Sequence, residues 1–244
     1  MVVSNGWFME ILKYKKNLNS VGHGNFLVAC SGGCKALALS LILLAALSFL
    51  PVSAHAAESE MSQFFQEIQA ASAQVQSFSS EFVQEKRLAL FAEPVIFHGK
   101  LTVVRPDRLR WEFTSPVPSA LIFNGKVGMR CNDKAPPTHF DLGSDPIMRT
   151  VAEQLWLWLG GDYSKLHDKY NMTTQDSSLI ITPKDQAAAQ YVGAITITFN
   201  TLTKQPDSVL ISEPGGDSTE MRFASYVLNG TVPEDLFKRC SADE

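Results

Sequence analysis

Arg105 is the residue whose type and position in this sequence most suggest a chemical role. It ends a row of alternate apolar residues that includes Leu101 and Val103, in a segment whose pattern is typical of a β-strand. A charge at the edge of an apolar face is costly unless its donors are satisfied, and a guanidinium offers several N–H donors in a fixed plane. The alternative is that Arg105 reaches solvent and pairs with Asp107 or Glu112.

Residue types that perform catalysis do not form a recognisable set. The histidines after residue 56 are His98, His139 and His167, and none lies in an HExxH motif or at zinc-ligand spacing from a cysteine. There is also no GxSxG nucleophile motif. Glu81 and Glu85 share a strand face, but such a pair is more often a solvated edge than a catalytic dyad. The sequence therefore supports no enzymatic activity and predicts no metal or other cofactor.

The first 56 residues have the layout of a secretory signal peptide. Residues 36–50 form a continuous apolar run, and Ala54-His55-Ala56 is a small-x-small cleavage pattern. The run is short for a membrane span, although an uncleaved N-terminal anchor is the alternative. We expect cleavage before Ala57, export, and a single domain over residues 57–244.

The charge of the exported part excludes one class of partner. Removal of residues 1–56 takes away four lysines and one glutamate, which leaves 17 basic and 24 acidic residues and a formal net charge of −7. Nucleic-acid binding needs a concentrated basic face, so we expect no nucleic-acid partner. Cys131 and Cys240 remain, and an oxidising compartment would allow them to form a disulfide if they approach each other.

Hydrophobic periodicity predicts an α+β domain with two helices and about ten short strands. Helical spacing of Phe64, Phe65 and Ile68 predicts an amphipathic helix over 58–75, and Asn124-Gly125 is a hairpin signal. Strands are predicted from Phe78 onward and at about 94–105, 107–113, 118–124, 126–131, 168–174, 178–183, 193–200, 206–212 and 219–227. So many short antiparallel strands imply a strongly curved sheet or an open barrel.

A second helix is predicted over 145–159, with Ser144 as its cap and Gly160-Gly161 as its end. Trp156 and Trp158 project about 200° apart at about 3.6 residues per turn, so one core cannot easily cover both. A loop or partner that covers the second face is one interpretation. A lid whose apolar underside contacts a ligand is the other.

The order of these motifs resembles the periplasmic outer-membrane lipoprotein carrier family, LolA. The resemblance covers about residues 60–237, and its most specific part comprises Phe82, Gln84, Lys86, Gly99, Leu101, Arg105, Pro106 and Trp111. It implies an incomplete antiparallel β-barrel of about 10–11 strands, closed by lid helices around a cavity that receives acyl chains. It also implies a periplasmic location.

The resemblance further implies a function and partners. The protein would be a monomeric carrier that takes lipoproteins, or another lipidated cargo, from an inner-membrane ABC-type release complex to an outer-membrane receptor. Arg105 would gate the lid, and lipid-binding residues would be Phe82, Leu101, Val103, Arg105, Leu109, Trp111, Phe113, Ile122, Met148, Val151, Leu155 and Trp156. Further lining candidates are Ile195, Ile197, Phe199 and Phe223. The alternatives are a lipid- or lipoprotein-sensing regulator on the same barrel and a hydrolase, for which no nucleophile arrangement is recognisable.

Overall fold

The computed structural model describes residues 53–159 and 163–241. Its helices are α1 (Ser53–Ala73), α2 (Pro146–Leu159) and α3 (Gln186–Ala189). Its strands are β1 (Ser77–Arg87), β2 (Val95–Val104), β3 (Arg108–Ser115), β4 (Ser119–Asn124), β5 (Val127–Asn132), β6 (Ala135–Asp141), β7 (Tyr170–Gln175), β8 (Ser178–Pro183), β9 (Ala194–Phe199), β10 (Pro206–Ser212) and β11 (Ser218–Leu228). The predicted signal peptide, apart from its last four residues, lies outside the described residues and stays a prediction.

The strands form one antiparallel sheet in the order β6-β5-β4-β3-β2-β1-β11-β10-β9-β8-β7. Strands β1 to β6 are a meander on one side, β7 to β11 are a second meander, and β1 pairs with β11 to join them. The two halves are therefore held together in the middle by the first and last strands. The sheet stays open because β6 and β7 are its two edges, which confirms the predicted incomplete barrel.

The connection between the two edge strands explains why a helix covers the hollow side of the sheet. The chain must pass from β6 to β7, and this segment contains α2 and a 3-10 turn, Tyr163–Leu166. Met148, Val151 and Leu155 of α2 pack into the buried cluster of the first meander. Tyr163 and Leu166 pack into the cluster of the second meander, together with Ile68 of α1.

Alternate residues of the strands face two different environments. In β3, Leu109, Trp111 and Phe113 join the cluster on the concave face, whereas Arg110 and Glu112 lie on the outer face. The C-terminal tail covers part of that outer face, where Phe237 is buried. The sheet around β3 and β4 is thus covered on both sides.

The tail is held by a disulfide between Cys131 of β5 and Cys240, two residues that are 109 positions apart. The structure thus brings together the pair that the sequence left undecided. Arg110 anchors the same segment, since its guanidinium donates to the carbonyl oxygens of Leu236 (3.2 Å), Arg239 (2.8 Å) and Cys240 (2.5 Å).

Replacement of both Cys131 and Cys240 by serine is expected to lower the free energy of unfolding by about 2–4 kcal/mol, because the cross-link restricts a long loop in the unfolded chain. Thermal unfolding followed by circular dichroism measures this loss. Dithiothreitol should shift the wild-type midpoint to that of the double variant and leave the variant unchanged. Equal midpoints for oxidised wild type and variant would contradict the prediction.

The two long predicted helices are confirmed, with one correction at the start of α2. Asp145, rather than Ser144, is the cap, because its Oδ1 accepts from the backbone N–H groups of Ile147 and Met148, each at 3.0 Å. Pro146 occupies the first helical position, where its missing N–H costs nothing. Gly160 and Gly161, which were expected to end the helix, lie outside the described residues.

One strand was not predicted. Strand β6 carries Pro136 and Pro137, which normally argue against a strand, and it pairs only with β5. Proline is tolerated on an edge strand, where one row of backbone groups faces away from the sheet. Within the described ranges, no helix has both the length and the apolar composition required to cross a bilayer.

Candidate functional site

An elongated apolar hollow lies between the concave face of the sheet and the helices. The unfilled space within it and at its open mouth, where it merges with solvent, is about 940 Å³. Its apolar wall includes Ile68, Val75, Phe78, Leu101, Trp111, Leu155, Leu159, Ile197, Phe199, Val209, Met221 and Phe223.

The hollow is open at one end and closed at the other. Lys204, Gln205 and Tyr226 line it and are partly exposed, so they mark the mouth. Thr219 and Met221 also line it, are only 1% and 3% exposed, and lie further from Tyr226 along β11; we call this part the closed end. A linear apolar chain can therefore enter at the β9–β10 hairpin and extend along β11.

Arg105 connects the sheet to both helices at the mouth. Its Nη2 donates to Ser72 Oγ of α1 at 2.7 Å and to the carbonyl oxygen of Leu159 at 3.2 Å. Leu159 ends α2, where backbone carbonyls have no partner within the helix and a cation is favourable. The guanidinium therefore holds the two covering helices against the end of β2.

Glu112, one of the two carboxylates considered as a partner for Arg105, does not face it. Glu112 faces the other side of the sheet, where its carboxylate accepts from Arg110 Nε and Nη2 at 2.9 Å each. The side chain of Arg105 instead lines the hollow and is half-buried. The positive charge of Arg105 therefore faces polar atoms of α1 and α2.

Burial shifts the pKa values of Arg105 and of the neighbouring Tyr163. Desolvation lowers the pKa of Arg105, although the nearby Tyr163 opposes this shift. Burial also raises the pKa of the Tyr163 phenol, and the positive charge of Arg105 counteracts it in part. A guanidinium remains protonated in proteins, so Arg105 is a permanent cation and Tyr163 is neutral at physiological pH.

Two further polar contacts hold the mouth. Lys204 Nζ lies 2.8 Å from Glu67 Oε2 of α1, and this hydrogen bond is the largest of the effects that lower the pKa of Glu67. The Tyr226 hydroxyl donates to the carbonyl oxygen of Pro206 at 2.6 Å, while burial is the main effect that raises its pKa. The helix α1 is thus fastened at the mouth through both Arg105 and Lys204.

Most of the predicted lipid-binding residues lie on the concave face of the sheet or on the side of α2 that packs against it. Leu101, Arg105, Trp111 and Leu155 line the hollow, as do the further candidates Ile197, Phe199 and Phe223. The buried cluster behind this wall contains Phe82, Val103, Leu109, Phe113, Met148 and Val151, and the half-buried Trp156 packs against it. Ile195 belongs to the cluster of the second meander. The side chain of Trp158 lies outside the described residues.

The placement of Ile122 is a correction. It pairs in register with Arg110 and Met129 and lies on the outer face, beside Ala120, Cys131 and Phe237. Its neighbours in sequence, Leu121 and Phe123, are the residues of β4 that face the concave side. Ile122 therefore packs under the C-terminal tail and does not line the hollow.

Several lining residues were not predicted. Met221 and Thr219 lie on β11, opposite Gln84 and Lys86 of β1, and only this long-range pairing places them at the closed end. Tyr163 follows α2 in a 3-10 turn that no periodic pattern marks. Ile68 and Ser72 belong to the predicted N-terminal helix, so their helical spacing was a usable signal.

Comparison with known proteins identifies one family. The model of the family "outer membrane lipoprotein carrier protein LolA" matches residues 73–240. No curated protein matches the sequence.

Solved structures that match this chain come from several bacteria. A LolA superfamily protein from Nitrosomonas europaea is 11% identical, with a TM-score of 0.37 over 71% of this chain and 97% of that one. The Mycobacterium tuberculosis lipoprotein LppX is 12% identical, with a TM-score of 0.40 over 72% and 98%. The MucA/MucB complex of Pseudomonas aeruginosa matches at 15% identity and a TM-score of 0.43, over 75% of this chain and 62% of that one.

Proposed function

Because this chain belongs to the outer membrane lipoprotein carrier protein family LolA, whose members are periplasmic, we propose that it is a periplasmic carrier of acylated cargo. The cargo is a lipoprotein or another lipidated molecule, carried from the inner to the outer membrane. The observation that supports this proposal is the apolar hollow under two covering helices, both of which accept hydrogen bonds from Arg105.

The free-energy cost of exposing acyl chains to water is large. Each methylene exposed to water costs about 0.8 kcal/mol, so two chains of about sixteen carbons would cost on the order of 20 kcal/mol to carry bare. An open barrel with an apolar concave face removes that surface from water. The wall formed by residues such as Leu101, Trp111 and Met221 provides this environment.

A carrier must also release its cargo, and Arg105 supplies a means. In the closed state, its hydrogen bonds to Ser72 and Leu159 hold α1 and α2 in place. Cargo that displaces the helices breaks these bonds, so the closed, empty state competes with the loaded state and lowers the apparent affinity. Release to a tighter-binding acceptor then needs no nucleotide.

The remaining parts of the proposal concern location and partners. The protein would be exported by its N-terminal signal peptide, act as a monomer, receive cargo from an inner-membrane ABC-type complex and deliver it to an outer-membrane receptor. Proteins of this family bind and carry, and we propose no catalytic step.

Two measurements test the carrier function. Native mass spectrometry of the protein purified from its own periplasm should show a bound species, whose mass separates lipoprotein from free lipid. Loaded protein should then pass its cargo to acceptor membranes. Binding without transfer would contradict the carrier function and favour a sensor, and turnover of the lipid would show an enzyme.

A pair of neighbouring residues on β10 tests whether the hollow is the binding site. Val209 lines the hollow, and Leu210 points to the opposite face and is 36% exposed. Val209→Trp is expected to fill the hollow and reduce acyl binding at least tenfold, whereas Leu210→Trp should bind as the parent does. Displacement of a fluorescent fatty acid measures both, and equal binding by the two variants would place the site elsewhere.

A further inference from the structure

Two buried polar side chains lie next to each other at the closed end of the hollow: Thr219 of β11 lines it, and Gln84 of β1 is buried beside Thr219. Their exposed fractions are 0% and 1%. Among the residues that the structure describes, neither atom of the Gln84 amide group nor the Thr219 hydroxyl has a hydrogen-bond partner. Most buried polar groups in proteins are paired, so a pair of adjacent exceptions needs an explanation.

The two side chains are neighbours on the concave face. Gln84 is opposite Met221, and Thr219 is opposite Lys86, so Gln84 and Thr219 are diagonal neighbours across the β1–β11 pair. Thr219 and Met221 both line the hollow. The Thr219 hydroxyl in the wall and the Gln84 amide buried beside it therefore form one small polar patch, which we call the floor, next to the apolar residue Met221.

The floor lies far from the mouth. Tyr226 lines the mouth and Thr219 the floor, and both belong to β11. Their separation along the strand is roughly 23 Å at about 3.3 Å per residue. For comparison, an acyl chain in a bilayer spans one leaflet of the hydrocarbon core, which is about 15 Å thick. Only the distal part of a long extended chain therefore reaches the floor.

We propose that the hollow recognises a long alkyl chain that carries an oxygen function, a hydroxyl or a carbonyl, at the end remote from its headgroup. This inference rests on the proposed function, because it requires a chain to enter at the mouth. A distal hydroxyl would donate to Gln84 Oε1 and accept from the Thr219 hydroxyl. A distal carbonyl would accept from Gln84 Nε2 and from the Thr219 hydroxyl.

An unsubstituted chain lacks these bonds. Its terminal methyl group would meet the floor and leave the amide and the hydroxyl without partners, so it would bind less tightly than the oxygenated chain. A hydroxyl placed near the headgroup would not help, because it would remain near Tyr226 and the mouth. The proposal therefore predicts a dependence on the position of the oxygen as well as on its presence.

The experiment compares three ligands by displacement of a fluorescent fatty acid from the purified protein: hexadecanoic acid, its ω-hydroxy analogue and its β-hydroxy analogue. The ω-hydroxy acid is expected to bind roughly fivefold to tenfold more tightly than the other two. Thr219→Val and Gln84→Met should each remove this preference while hexadecanoic acid still binds. Thr196→Val, a threonine on the outer face of β9, is the matched control and should keep the preference.

The outcomes separate the two proposals. Equal affinities of the wild type for the three acids would overturn the proposed role of the floor and would show that water is the partner of its polar groups. The carrier function would remain intact. Failure of every acid to displace the probe would contradict the carrier function itself. Thr219→Val should also not lower the thermal midpoint of the ligand-free protein, and a large decrease would overturn the proposal by showing that the hydroxyl has a partner within the protein.

Discussion

Arg105→Leu is expected to load lipid but to deliver it to acceptor membranes roughly tenfold to a hundredfold less than the parent protein. The substitution removes the hydrogen bonds that the guanidinium donates to Ser72 and to the Leu159 carbonyl. A hydrogen bond from a charged donor contributes about 1.5–3 kcal/mol, and half-burial places this pair at the lower end of that range. The empty, closed state loses this stabilisation, so the equilibrium shifts toward the loaded state.

The measurement is transfer of radiolabelled acyl cargo from loaded protein to acceptor vesicles at equilibrium. Arg105→Lys should give an intermediate result, because lysine keeps the charge and loses the planar arrangement of donors. Ser72→Ala removes one acceptor and should cause a smaller loss than Arg105→Leu. Arg130→Leu, on an exposed position of β5, serves as the control for loss of a cation. Transfer by Arg105→Leu at the parental level would refute the gating role.

A second large effect is expected on stability, from Arg110→Ala. Arg110 is 1% exposed and donates to the Glu112 carboxylate as well as to three carbonyl oxygens of the C-terminal tail. Its loss leaves the carboxylate and the carbonyls without these donors, which costs about 3–5 kcal/mol for a buried ion pair. The thermal midpoint should fall by roughly 10 °C for a domain of this size.

Urea unfolding measures the free energy, and two variants make the result specific. Arg108→Ala removes the neighbouring arginine, whose guanidinium lies over the Phe237 ring at 5.5 Å, and should cost only about 0.5–1 kcal/mol. The double variant Arg110→Ala/Glu112→Ala should lose less free energy of unfolding than the sum of the two single variants, because no carboxylate is then left without its donor. An Arg110→Ala protein as stable as the Arg108→Ala protein would show that the tail depends on the disulfide alone.

The sequence predicted which residues of a strand face the core where one face is exposed to solvent, and not where both faces are covered. In β9, Ile195 and Ile197 alternate with threonines, and the strand was found as predicted. In β4, Ala120, Leu121, Ile122 and Phe123 are all buried, since α2 and the cluster under it cover one side and the tail covers the other. A continuous apolar run does not indicate which of its side chains point to which face of the sheet. That is why Ile122 was assigned to the wrong face.

The candidate site was predictable in its local part only. Leu101, Arg105 and Trp111 lie close together in the sequence, and their alternation marked one face of a hairpin. The closed end depends on the pairing of β1 with β11, two strands about 140 positions apart in the sequence. No local sequence pattern indicates the register of that pairing. Gln84 and Thr219 therefore became neighbours only in the folded chain.

The sequence alone predicted the alternating strands, the two long helices, the charge at the end of an apolar row and the family that these motifs resemble. These features depend on neighbours a few positions away, whose spacing the chain geometry fixes. Only the tertiary structure decided which face of the sheet is concave, which atoms Arg105 contacts, and that Arg110 holds the C-terminal tail. Each of these depends on groups that folding brings from 33 to 130 positions away, and their meeting is a property of the whole packed sheet.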